Sequence, residues 1–202
     1  VAAEAILHYL SESHHNKIPH ITSIRRIFEE EYVWMDRFTI RNLELFQSTN
    51  PNGVALIDVL DKTLTAMGGR MLKHWLAFPE RNLSKIEERL DLVEALTKDD
   101  SIKDKMANHL SEIVDIERIV AKIATQKISP RALVQLGKSL DQITEIKVDL
   151  LDHPSTKLKT LGGRFLDAME VIKLIKSTLK SEAPVLLGKG GVIADGVNVE
   201  LD

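Results

Sequence analysis

The sequence contains no cysteine. Disulfide staples, thiolate metal sites and cysteine nucleophiles are therefore excluded, and a reducing compartment suits the chain. Aromatic residues make up only 4% of the 202 positions. That scarcity argues against a β-sandwich and against a nucleic-acid module built on stacked bases. No apolar run reaches the ~18 residues that a transmembrane helix needs, so no membrane partner is expected. The first ten residues lack a basic start, so no signal peptide is expected. An excess of one charge is missing too: 27 Lys and Arg stand against 30 Asp and Glu, a formal net charge of −3. The chain as a whole is not a non-specific DNA-binding surface, although a local basic face is compatible with that balance.

Catalytic signatures are also absent. There is no G-x-S-x-G, no H-E-x-x-H and no EF-hand loop. Gly188-Lys189-Gly190-Gly191 lacks the spacing of a phosphate loop. It leads into strand-like residues, where a phosphate loop would open a helix, and so reads as a turn. His8, His14, His15 and His20 cluster without the i, i+4 pairing of a helical metal site, and read as surface residues. Asp152 and His153 read as ordinary turn residues. Arg25-Arg26, Arg70-Lys73-His74 and Lys157-Lys159-Arg164 could meet phosphates, but read as ordinary surface. No catalytic, cofactor-binding or metal-ligating residue is nominated.

What the sequence does have is helical periodicity. Hydrophobic residues make up 44% and charged residues 28%, the balance of a soluble helical protein with a full core. Asn50–Pro79 reads as one long helix, with Leu56, Leu60, Leu64, Met67, Met71 and Trp75 on one face. Gly68-Gly69 lies inside it, at a cost of about 1 kcal/mol per Gly against Ala, and either close packing of a second helix or a local kink would explain the pair. Ala3 to about His14 reads as a short helix, and Asp36 caps another over Arg37–Phe46. Ser84 and Glu87 form a capping box for a helix to about Thr97, with Ile86, Leu90, Val93 and Leu96 inward. Ser101–Ile113 and a short helix capped by Asp115 follow. Ser129-Pro130 opens a helix whose narrow stripe suits one neighbour. Ser155 to Lys180 reads as a final long helix. Tyr32–Met35 has strand composition, and Val185–Leu187 with Val192–Ala194 reads as a hairpin. The expected fold is mainly α: a multi-helix core with long amphipathic helices and a small hairpin or short-strand element near each end.

Several of these segments together resemble the MutS family of DNA mismatch-repair proteins. Thr65–Leu76, reading TAMGGRMLKHWL, is similar to that family's signature. Met35-Asp36 with Thr39 and Arg41–Leu45 look like the entry to its core domain. Asp115–Ile119 and Ser129-Pro130-Arg131 match further on. Gly190–Ala194 with Glu200–Asp202 resembles the segment just before the family's clamp, and Ala5–Leu10 the end of its connector. The sequence departs from the pattern at Ala132, where Asp is frequent, at Glu80, where an apolar residue is common, and at Val197, where Tyr is common.

The resemblance implies residues 1–24 as the end of a connector domain and its linker, and 25–202 as a helical core or lever domain cut before the clamp. The ends fit that reading: the chain opens on Val1 without a capping residue and closes without a stop signal. It implies a structural and coupling module without activity of its own, linking an ATPase end to a DNA-clamp end. The parent would be a DNA-dependent ATPase using ATP and Mg, neither held by this segment. Its partners would be the connector, clamp and ATPase domains of the same chain, with mismatched DNA and a second subunit of a homodimer reached through the parent, in the cytoplasm. Read without the resemblance, the residues describe a mainly helical scaffold with no catalytic apparatus of its own; the alternatives are a stand-alone helical adaptor for a partner protein and a helical hydrolase with an unrecognised site.

Overall fold

The computed structural model describes residues 2–12, 28–186 and 190–197. The described chain is helical. Ten α-helices follow in order: α1 (Ala2–Glu12), α2 (Arg37–Asn42), α3 (Leu56–Leu60), α4 (Ala66–Ala77), α5 (Leu83–Thr97), α6 (Asp100–Ser111), α7 (Ile116–Ala124), α8 (Pro130–Asp152), α9 (Thr156–Gly162) and α10 (Met169–Thr178). Polar side chains set most of the starts. Asp36, Thr65, Asn82, Asp99, Asp115 and Ser129 each accept a backbone N–H at a helix N-terminus, filling donors that the helix cannot satisfy internally.

Helix α8 is the axis. It runs 23 residues from a Ser129 cap with Pro130 in its first turn, and it touches α6, α7, α9 and α10. Its stripe was expected to serve one neighbour. It serves four, because Leu136, Gly137, Ser139, Ile146 and Leu150 are all buried. The core gathers Ile102 from α6, Ile113 just after it, Ile146 and Leu150 from α8, and Leu158 from α9. Met67, Leu92, Ala95, Leu96, Met106 and Phe165 pack around them. Each fully buried Leu or Ile contributes about 1.5–3 kcal/mol.

Glycine permits the closest approach within this bundle. A Cβ at Gly162 would lie 3.0 Å from Leu150 Cβ and 3.3 Å from the Leu151 backbone nitrogen. One at Gly137 would lie 3.1 Å from Ile175 Cγ2. The α9 backbone therefore rides directly on α8, and the Ile175 side chain of α10 seats against the α8 backbone at Gly137.

Several expectations are corrected. Asn50–Pro79 is not one helix. It breaks at Asp61, whose carboxylate accepts the Thr63 N–H (3.1 Å) and hydroxyl (2.6 Å). Short polar side chains that bond nearby backbone compete with the helix in this way. Thr65 then restarts the chain as the cap of α4, taking the Gly68 N–H at 3.0 Å. Gly68 and Gly69 lie in the first turn of α4, and their open faces meet Thr63 and Thr65 rather than a second helix. The long stripe is mostly exposed: Leu56, Leu60, Leu64, Met71 and Trp75 face out. Ser155–Lys180 likewise breaks between Gly162 and Met169. In α5 the cap is Asn82, one residue before the helix, and Ser84 falls inside the first turn. Leu90 and Val93 point out, and Leu92, Ala95 and Leu96 take the inward face.

The expected hairpin near the C-terminal end is not found among the described residues, and residues 187–189, the end of its first run and the start of its turn, lie outside them. Ile193 instead bridges antiparallel to Leu179, with Lys180 N–H on Val192 O (3.0 Å) and Ala194 N–H on Thr178 O (2.9 Å). Near the other end Tyr32 bridges Glu80, and the Val33 N–H donates to Pro79 O at 2.8 Å. Among the described residues these pairings remain isolated bridges and build no sheet.

Candidate functional site

Two of the segments singled out in the sequence meet in space. Arg70 stands one turn into α4, oriented by the Thr65 cap. Asp115 is the cap of α7, taking the Arg118 N–H at 3.3 Å. The Arg70 guanidinium donates to both Asp115 oxygens, from Nη1 at 2.9 Å and from Nη2 at 2.7 Å, and its Nε donates to Glu117 Oε2 at 2.9 Å. A two-pronged fork of this kind fixes direction as well as distance. Arg70 and the Arg118 N–H hold the Asp115 carboxyl down to about 2. The two carboxylates raise the Arg70 guanidinium in turn.

The residue beside Asp115 is tied in the opposite direction. The Val114 N–H donates 3.1 Å to Ser139 Oγ, and Ser139 is wholly buried in α8. Consecutive residues 114 and 115 thus connect α8 to α4 through one hydroxyl and one carboxylate.

Other seams are closed by charge. Glu88 of α5 pairs with Arg164 beyond α9, and Asp91 of α5 with Lys157 of α9 at 2.6 Å. Asp149 of α8 takes Lys105 (2.7 Å) and His109 (3.3 Å) from α6, while His109 Nδ1 meets Gln142 at 2.7 Å. Lys105 foremost keeps the Asp149 carboxyl below its ordinary value. His153, read as a plain turn residue, is mostly buried. Its Nδ1 accepts the Ser155 N–H (3.0 Å), which leaves Nε2 to donate to Asp99 (3.2 Å), so it clasps the end of α8 to the start of α6.

The nominated basic groups divide accordingly. Arg70, Lys157 and Arg164 are engaged with carboxylates. Lys73 and Lys159 are exposed, and Arg25-Arg26 lie outside the described residues, as do His14, His15 and His20. Glu80, unusual at its place, is accommodated by local donors. Its carboxylate is 6% exposed, takes the N–H groups of Arg81 and Asn82, and stands 3.6 Å from Lys85 and 3.9 Å from Arg89. The Asn82 N–H chiefly holds it below the usual carboxylate range. Sequence reasoning passed over Ser139, read His153 only as a turn residue, and marked Glu80 only as a departure from the family pattern. Spacing holds no signal for them, because each finds its partner through the fold or the local turn.

For acid–base chemistry the arrangement offers little. Every shifted carboxyl among the described residues is shifted down, whereas a general acid needs one raised. Among the described residues no three His, Asp or Glu side chains are placed to hold a metal. Gly190 and Gly191 precede the extended residues that bridge Leu179, not a helix N-terminus, so they do not fit a nucleotide phosphate.

The pattern of the family described as MutS domain III matches residues 38–201. The chain belongs to the MutS family. Over all 202 residues it is 50% identical to a DNA mismatch repair protein MutS of Flavobacterium psychrophilum and 49% identical to one of Flavobacterium johnsoniae. A MutS of Phocaeicola vulgatus is 44% identical over the same span. The chain covers 23% of each of these relatives. Within MutS domain III, the fork joins two of the segments that carry the family's pattern. No helix among the described residues is long and apolar enough to cross a membrane.

Proposed function

We propose that this chain is the structural and coupling core of a MutS-type DNA mismatch-repair protein. Residues 1–24 are the end of a connector and its linker, and 25–202 are the lever-bearing core that ends before the clamp. The observation that carries the reading is the path from α4 through Arg70, Asp115, Val114 and Ser139 to α8. It supports a domain that passes displacement from one end to the other. On this reading no catalytic, cofactor-binding or metal-ligating role is assigned to any of the described residues. The parent is a cytoplasmic, homodimeric, DNA-dependent ATPase, and ATP and Mg act in another of its domains. The connector, clamp and ATPase domains are the direct partners, and mismatched DNA is met through the parent.

The isolated chain should neither hydrolyse ATP nor prefer a mismatched over a matched duplex. Activity in either assay ends this reading. A second reading, a helical adaptor, draws on the exposed Leu56, Leu60, Leu64, Met71 and Trp75. An apolar run of that kind marks a covered face. In a MutS core that face is covered by the rest of the same chain, and in an adaptor by a separate protein.

A further inference from the structure

The helices are joined by two kinds of seam. Inside the bundle, α8 meets α9 and α10 through the open faces of Gly162 and Gly137, and Leu158 and Ile172 fill the contact at 0% and 2% exposed. Such seams are dry and densely packed, and salt does not reach them. The seam toward the N-terminal half is built differently. Neither α4 nor α5 buries a single residue completely. They lean on the core with the partly buried Met67, Leu92, Ala95 and Leu96. Their remaining ties are ion pairs at the surface: Arg70 with Asp115 and Glu117, Glu88 with Arg164, and Asp91 with Lys157. Arg118 adds a fourth cation, 3.7 Å from Asp115. Arg70, Glu117, Lys157, Asp91, Arg164 and Glu88 all have 44% or more of their side chains exposed, and only Asp115, at 18%, is mostly covered. Charges so exposed are weakened by dissolved ions.

We infer that α4 and α5 are held on the bundle by an electrostatic latch, and that screening this latch lets the N-terminal half change its angle while α8, α9 and α10 stay fixed to one another. The coupling role proposed above says what the movement is for. The latch does not depend on that role, so the isolated chain tests it alone.

The absence of cysteine lets label pairs be placed freely. Lys73→Cys with Glu145→Cys spans the latch. Glu145→Cys with Lys173→Cys stays within the bundle. All three positions are exposed. Spin-label distances would be compared at ~0.1 M and ~1 M NaCl, between which the Debye length falls from about 10 Å to about 3 Å. The spanning pair should shift or broaden by about 2 Å or more, the scale of helix displacements at packed interfaces. The bundle pair should not change. The double variant Asp115→Asn, Arg164→Gln removes two charges, and Asn still offers an oxygen to cap α7. It should show the high-salt distribution already at low salt, with unchanged far-UV circular dichroism. If that variant loses helix content, the salt comparison on the unaltered charges still decides. A spanning pair that ignores salt, or two label pairs that move together, would overturn the latch.

Discussion

Gly162 and Gly163 are adjacent in sequence and should respond to alanine with opposite signs. A Cβ at Gly162 would stand 3.0 Å from Leu150 Cβ, 3.2 Å from Leu151 Cγ and 3.3 Å from the Leu151 nitrogen. Leu150 is 2% exposed and the nitrogen belongs to the α8 backbone, so neither has room to give way. Overpacking of a filled core costs about 1–3 kcal/mol. The better helix propensity of Ala returns up to about 1 kcal/mol. Gly162→Ala should therefore destabilise by about 1–2 kcal/mol. At Gly163 the backbone is helical, with φ −65°, and the new methyl group would meet only carbonyl oxygens at 3.5 and 3.6 Å. There Ala costs nothing in space and restricts the unfolded chain, so Gly163→Ala should stabilise by about 0.4–1 kcal/mol. Urea unfolding followed by far-UV circular dichroism reads both. With a slope of about 1–3 kcal/mol per molar urea, the two midpoints should separate by roughly 1 M. Equal stabilisation by both substitutions would mean that α9 does not ride directly on α8.

Other substitutions probe the remaining ties. Ser139→Ala strands the Val114 N–H and should cost about 1–3 kcal/mol in the same urea titration. Leu158→Ala empties the best-buried core position, 0% exposed, and should cost about 2–5 kcal/mol. The Asp115 carboxyl lies lower in the folded chain, at about 2, than its ordinary 3.8. Its contribution is therefore present above pH 3.8 and is lost as pH falls toward 2. Arg70→Gln removes the main cause of that depression, so stability should depend less steeply on pH across this window. Parallel pH profiles for the two proteins would contradict the fork.

The helical class was legible because apolar residues recur with helical period and because capping residues mark boundaries. Asp36, Asp115 and Ser129-Pro130 cap where the sequence places them. Two long helices were overread for one reason. Periodicity continues through Asp61–Thr65 and through Gly163–Ala168, but local bonds to Asp61 stop the first helix. Leu96 packs inward as its spacing suggests, but facing was misjudged elsewhere in α5, where two apolar stripes compete and only the fold chooses Leu92 and Ala95 over Leu90 and Val93. The family was readable from the order and spacing of its segments. The contact between Arg70 and Asp115 was not, since residues 45 apart carry no sign of their meeting.

The coupling role is tested most directly in a full-length MutS whose corresponding segment is replaced by these 202 residues. The quantity to measure is the change in ATP hydrolysis on adding mismatched DNA, with and without Arg70→Gln. The account predicts that the substitution sharply reduces this response, while hydrolysis without DNA and mismatch binding without nucleotide persist. A response of undiminished size in the substituted protein would contradict it.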